Sequence, residues 1–245
     1  MVNLERQARA ASARDEAALD IFRHQWELYR KFLRYDYLEN AGAYTELHRF
    51  LTENVTRPFA FVDLACGDAS GIVGALEGTA IGSYRGVDLA PAALELARYN
   101  LAALPCDVEL EEADFTEAMR RGSDPADVVW ISLSLHHLAT PDKRALMREI
   151  RKRLSAGGAL LIYEPTCRDG EDRAAYLDRF EEIGRREWTA LTADEFREAM
   201  HHVRTCDLPE TVSEWEALGR EMGFSRVAEL YKAPSDLFRM FSYQA

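Results

Sequence analysis

At the start of the chain, apolar side chains recur at helical spacing. Phe22, Trp26, Tyr29 and Leu33 share one face within residues 4–54, a stretch rich in Ala, Arg, Glu and Leu that contains no proline. Two or three helices are predicted there, closed by Arg57-Pro58. From Phe59 the period shortens. Strand-like runs at Phe59–Leu64, Tyr84–Asp88, Val108–Glu111, Val128–Ile131 and Ala159–Tyr163 alternate with helical segments. This is the signature of a parallel sheet covered on both faces. Helical patterning returns over residues 166–205, with Arg173–Trp188 and Thr192–Arg204 as its pieces, and again from Ser213 to Met222. Two last strands, Ser225–Tyr231 and Leu237–Tyr243, are joined by so short a connection that they must pair antiparallel, since a parallel crossover needs a dozen or more residues.

The segment between the fourth and fifth strands is predicted in detail. Thr140 suits the N-cap and Pro141 the first turn, Leu146, Met147, Ile150 and Leu154 form the apolar stripe, and Gly157-Gly158 ends it. Its cations Lys143, Arg144, Arg148, Arg151, Lys152 and Arg153 are expected on a solvated outer face rather than at a polyanion site.

The formal charge of −12 opposes a phosphate backbone held by an overall positive field, so nucleic acid is not an expected partner. No run approaches the roughly 20 apolar residues that span a bilayer, and residues 1–10 lack an apolar core of signal-peptide length, so a cytoplasmic protein is expected. Cys66, Cys106, Cys167 and Cys206 are far apart and are expected as free thiols.

Candidate chemistry gathers where strands end. The run Phe61-Val-Asp-Leu-Ala-Cys-Gly-Asp-Ala-Ser70 sets Asp63 and small residues between a strand and a helix, where a tight turn lets a ligand approach the backbone. The second strand ends in Gly86-Val-Asp-Leu89, with Asp88 placed to accept hydrogen bonds from ribose hydroxyls. Asp114 follows the third strand. Each of the three acids could equally cap the helix that follows it. Three carboxylates at successive strand ends suit a nucleotide-like ligand with hydroxyls, an amino group and positive charge.

In this order the motifs resemble those of the class I S-adenosylmethionine-dependent methyltransferases. Val62-Asp-Leu-Ala-Cys-Gly-Asp-Ala-Ser70 is similar to their first motif, Gly86-Val-Asp-Leu-Ala-Pro91 to the second and Ala113-Asp-Phe115 to the third. The run Asp127-Val-Val-Trp-Ile-Ser-Leu-Ser-Leu-His-His-Leu138 is similar to the fourth, and Leu154-Ser-Ala-Gly-Gly-Ala-Leu-Leu-Ile162 to the lead into the fifth strand. The family usually has glycine where Ala65 and Ala69 stand.

The resemblance implies an α/β fold with a Rossmann-like seven-stranded, mostly parallel sheet, the last strand antiparallel, with S-adenosylmethionine as cofactor. Residues 58–165 and 206–245 would form this core, residues 1–57 a helical cap and residues 166–205 a helical insertion joining the cap. The resemblance places Asp63, Ala65 and Gly67 at the methionyl portion, Asp88 and Leu89 at the ribose, Asp114 and Phe115 beside the adenine, and Ser132 near the amino-acid end.

Methyl transfer to O or N of a small-molecule acceptor is the activity expected, with a base near the strand ends. His136 and His137 are the first candidates and Glu164 the second, against purely structural roles for all three. Trp26, Tyr29, Tyr35, Tyr37 and Tyr44 could line the acceptor pocket or simply pack the cap, and His201 and His202 are expected to be packed or exposed. No metal is expected, because adjacent residues rarely point at one ion. The cap can equally serve as a homodimer surface. Thr205-Cys-Asp-Leu-Pro-Glu-Thr211 and Gly223-Phe224 also resemble the carboxy-S-adenosylmethionine synthases, a comparison that puts Arg197 at the cofactor carboxylate. A non-catalytic binding protein of the same fold is the remaining alternative.

Overall fold

The computed structural model describes residues 28–122 and 124–245, so Phe22 and Trp26 lie outside the described residues. After a helical stretch over residues 28–34 come α1 (Asn40–Asn54), β1 (Phe59–Leu64), α2 (Ile72–Leu76), β2 (Ile81–Asp88), α3 (Pro91–Asn100), β3 (Asp107–Glu112), α4 (Phe115–Arg121), β4 (Ala126–Ser132), α5 (Thr140–Arg153), β5 (Leu154–Cys167), α6 (Arg173–Glu187), α7 (Ala193–Cys206), β6 (Glu210–Thr211), α8 (Val212–Glu221), β7 (Arg226–Lys232) and β8 (Phe238–Gln244). The sheet order is β3-β2-β1-β4-β5-β8-β7. The pairs among β1 to β5 are parallel, and β8 runs antiparallel to both of its neighbours. The expected seven strands and reversed last strand are present, and two-residue β6 adds a short pairing to the end of β5.

The central strand β4 shows why its sequence is a continuous apolar run. Val128 and Trp130 bury into the layer shared with α1, α6 and α7, while Val129 and Ile131 bury into the layer with α5 and α8. Alternate side chains meet opposite faces, and both faces are covered. β5 extends well beyond the predicted Ala159–Tyr163. β4 pairing stops at Tyr163, so Pro165, which has no N–H, sits where only β8 flanks the strand.

Two local expectations are corrected. Ala139 occupies the cap of α5 without a side-chain cap bond, and Thr140 is the first helical residue. The Thr140 hydroxyl donates instead to Glu210 Oε1 at 2.7 Å. Lys143 does not share the solvated face of its cationic neighbours. It is fully buried, donates to Leu208 O and Glu210, and lies 5.0 Å from the Trp215 ring centroid. A buried ammonium is tolerable because carboxylate, carbonyl and π-face together replace water. Arg144, Arg151, Lys152 and Arg153 keep exposed partners, as expected.

The segment before α1 is bound firmly to the rest. Lys31 pairs with Glu195 at 2.6 Å, Ala190 N–H donates to the Tyr37 hydroxyl at 2.8 Å, and the Tyr163 hydroxyl donates to Leu38 O at 2.9 Å. This anchoring brings Tyr29 and Leu38 over the ends of the parallel strands. Among the described residues, no helix is long and apolar enough to cross a membrane.

Candidate active site

Two cavities lie side by side at the carboxyl ends of the parallel strands, and Tyr29, Leu38 and Leu133 line both. The smaller, of about 370 Å³, is built by the loop after β1, the end of β2, the turn after β4 and the N-terminal segment. Asp63, Ala65, Gly67, Asp88 and Ser132 all reach it, joined by Asp68. Leu89, Asp114 and Phe115 do not line it, and Leu89 is 63% exposed. Ala113 N–H donates to Asp88 O at 3.0 Å, which keeps the loop carrying Asp114 next to Asp88.

The β1–α2 loop takes a glycine-like backbone with alanine at two of its positions. Ala65 (φ 57°), Gly67 (φ 55°) and Ala69 (φ 54°) all take the left-handed conformation that glycine favours. For the two alanines this costs roughly 1–2 kcal/mol each. Part of the restraint comes from Asp88, whose Oδ2 accepts the Gly67 N–H at 2.8 Å while Oδ1 accepts from Ala90 N–H at 2.8 Å. Asp88 thus braces the loop rather than capping α3, and its remaining lone pairs can take further donors. Asp114 does cap α4, accepting from Thr116 and Glu117 N–H. Burial opposes its charge, but these bonds hold it below the usual carboxylate range.

Asp63 is 4% exposed and accepts a hydrogen bond from the Tyr84 hydroxyl at 2.7 Å. Burial pushes its pKa up to about 7; the Tyr84 bond opposes this, and the nearby Asp88 charge adds to it. Burial likewise pushes the Tyr29 and Tyr44 hydroxyls upward, so both stay protonated. Asn40 Oδ1, on a side chain lining the cavity, is buried without a partner. Three carboxylates and an orphaned amide oxygen form a donor-seeking lining. That chemistry fits S-adenosylmethionine, which offers ribose hydroxyls, an ammonium and a sulfonium.

The larger cavity, of about 730 Å³, has an apolar side formed by Phe32, Phe180, Trp188 and Phe238 and a polar end with His136, His137, His202 and Asp207. His136 lies in a turn of 3₁₀ helix, Leu135–His137, held by Glu164. The fully buried Glu164 carboxylate accepts backbone N–H groups from Ser134, Leu135 and His136, and His136 Nδ1 lies 2.6 Å from Glu164 Oε2. Burial disfavours a charged His136, but Asp207 and Glu164 outweigh it and raise its pKa to about 9. His137 is more open, and burial together with the His136 charge lowers its pKa. The structure therefore brings His136, His137 and Glu164 together, with Glu164 behind the histidines and away from the cavity lining.

Other expected residues separate. Tyr44 lines the smaller cavity, Tyr37 stacks on Trp188 at 5.9 Å, and Tyr35 is half exposed. His201 and His202 are exposed on α7 and both reach the larger cavity. Arg197 is exposed, pairs with Asp194 and lines neither cavity. Asp207 was not singled out from sequence. It sits just after α7, and no local signal separates it from any other loop acid.

Residues 61–158 match the model of a family described as "Methyltransferase domain". The carboxy-S-adenosyl-L-methionine synthase of Chromohalobacter salexigens is 26% identical over 151 residues, covering 60% of this chain and 54% of that protein. An O-methyltransferase family protein from Burkholderia thailandensis superposes with TM-score 0.62 and 20% identity over 82% of this chain and 55% of its own. The mitomycin 7-O-methyltransferase MmcR superposes with TM-score 0.53 and 18% identity, covering 83% and 54%. The chain thus spans about half the length of these relatives. Sheet order and superposition give the core the fold of the class I S-adenosylmethionine-dependent methyltransferases, and residues 61–158 match a methyltransferase domain, for which S-adenosylmethionine is the implied cofactor.

Proposed function

We propose that the protein transfers a methyl group from S-adenosylmethionine to an oxygen or nitrogen atom of a small molecule held in the larger cavity. The observation that carries this reading is the shared wall: Tyr29, Leu38 and Leu133 separate a carboxylate-lined cavity from an aromatic one. When bound, the cofactor supplies a methyl group already activated by its sulfonium. The protein's task is then to align the acceptor at about 3–3.5 Å and exclude water.

On this reading Asp63, Ala65, Gly67, Asp88 and Ser132 hold the cofactor, with Leu89, Asp114 and Phe115 at its adenosine edge. The aromatic side of the larger cavity suits a flat acceptor. Glu164 fixes the turn that carries His136 and His137; His136, held charged between Glu164 and Asp207, positions that turn, and the more open His137 acts on the acceptor's proton. The segment before β1, together with α6 and α7, serves as the cap. The reaction is assigned to the cytoplasm.

Incubation with S-adenosylmethionine and a panel of small phenols and amines, with S-adenosylhomocysteine read by mass spectrometry, tests the activity. Product above the no-acceptor background supports it. Binding of S-adenosylmethionine with no turnover of any acceptor would favour the non-catalytic alternative. Asp88→Ala should weaken binding of both cofactor forms at least tenfold, and unchanged affinity refutes the ribose assignment. The relative from Chromohalobacter motivates a carboxy-S-adenosylmethionine synthase reading. The position of Arg197, paired with Asp194 outside both cavities, favours methyl transfer over it.

A further inference from the structure

At the polar end of the larger cavity, two histidine nitrogens face one carboxylate oxygen. His136 Nε2 stands 3.5 Å and His137 Nδ1 3.6 Å from the same oxygen, Asp207 Oδ1. All three ligand atoms lie within 4.8 Å of one another. Asp207 is 3% exposed, and this oxygen is buried with no hydrogen bond of normal geometry, its charged neighbour being the His136 ring at 3.5 Å. The His136 charge offsets part of the desolvation cost of a carboxylate oxygen so placed, and a bound cation would offset more.

We infer that His136, His137 and Asp207 bind a divalent transition-metal ion of the zinc type, with a fourth position open to the larger cavity. With bonds of about 2.0–2.2 Å, neighbouring ligands of a tetrahedral ion stand about 3.3–3.6 Å apart. The two separations from Asp207 fall in that range, and the three ligand atoms lie within 4.8 Å of one another, so small side-chain shifts would close the set on an ion. Two imidazoles and one carboxylate favour zinc, cobalt or iron over magnesium or calcium. The adjacent histidines offer different ring nitrogens toward Asp207, His136 Nε2 and His137 Nδ1, the latter also 3.5 Å from Cys206 O, a contact that an ion would replace. Their centroids lie 4.0 Å apart with the planes tilted by 50°.

The surroundings fit the same role. Glu164 takes the other nitrogen of His136 at 2.6 Å, the carboxylate–histidine–metal arrangement that fixes ring orientation and strengthens the ligand. Two buried carboxylates, Glu164 and Asp207, would balance a dication, whose binding displaces the proton that His136 otherwise holds. Asp207 is itself held in place. Its carbonyl accepts from Arg173 Nε at 2.7 Å, the following Leu208 N–H donates to His136 O at 2.9 Å, and Lys143 grips Leu208 O. In its catalytic part the inference rests on the methyl-transfer reading and revises one role in it: with the ion bound, the histidines are its ligands, and the ion rather than a histidine would lower the pKa of an acceptor hydroxyl in the open position. Metal binding itself does not depend on that reading.

The test uses the full chain, free of any polyhistidine tag and stripped with chelator. Zinc affinity is measured by competition with a chromophoric chelator, and cobalt loading by visible absorption. One ion per chain with the intense spectrum of tetrahedral cobalt is expected. His137→Ala and Asp207→Asn should each weaken zinc binding more than 100-fold, and Glu164→Gln about 10- to 100-fold. His201→Ala, on the same cavity but outside the cluster, should leave affinity unchanged. Retained S-adenosylhomocysteine binding shows that each variant is folded; a variant that loses it is replaced by His136→Gln. Wild-type affinity no tighter than that of His137→Ala, or binding that follows His201, overturns the site. Tight zinc binding without any methyl transfer leaves the site standing and refutes only the proposed function.

Discussion

Replacing Asp63 by Asn isolates the most perturbed carboxyl of the cofactor cavity. Its pKa of about 7 in the folded protein, against an ordinary 3.8, means the native state keeps a proton that the unfolded chain has released. The associated stability is fully present below about pH 4 and is lost as pH rises through 7. A difference of about three units corresponds to about 4 kcal/mol, undiscounted for screening because the side chain is 4% exposed. The groups setting this are its burial, the Tyr84 hydroxyl and the Asp88 charge.

Denaturant unfolding of wild type and Asp63→Asn across pH 4 to 8 should therefore show the variant gaining about 4 kcal/mol relative to wild type at the alkaline end. Other titrations cancel in the difference. Asp236 and Glu171, held below their usual range, and His136, raised to about 9, are common to both proteins. Parallel curves for the two proteins would refute the reasoning. Linkage extends the test to binding. A cationic ligand beside Asp63 favours its carboxylate, so S-adenosylmethionine should release a proton near pH 6 that S-adenosylhomocysteine, lacking the sulfonium, releases less of. Calorimetry in buffers of different ionisation enthalpy measures that release.

Two further expectations concern the frame around the site. Lys143→Ala leaves Glu210 buried without its ammonium and should cost about 3–5 kcal/mol in urea unfolding; a loss under about 1 kcal/mol contradicts the view of Lys143 as a buried tie. Asp114→Ala removes the α4 cap and should cost about 1 kcal/mol, whereas Asp114→Asn retains an acceptor there and most of the stability. Equal destabilisation by both would show that charge, not capping, is what α4 needs.

The sequence by itself determined the succession of strands and helices, the reversal of the last strand and the acids at strand ends. Each of these is written in a short window: period-2 or helical spacing, a proline or glycine stop, a connection too short for a crossover. The left-handed loop at Ala65 and Ala69 was less legible, because alanine does not announce a positive φ, and the hydrogen bond from Gly67 to Asp88 supports it from another strand. Thr140 and Lys143 departed from local expectation for one reason. Glu210, about seventy residues further on, is folded against α5 and takes both of their donors. Tertiary structure alone decided which groups share a cavity. Asp207 meets His136 and His137 only because α6 and α7 return the chain to the end of β4, and Glu164 stands behind them because β5 pairs with β4 in one register. Backbone propensity acts between neighbours in sequence, whereas burial, charge pairing and ligand geometry act between neighbours in space.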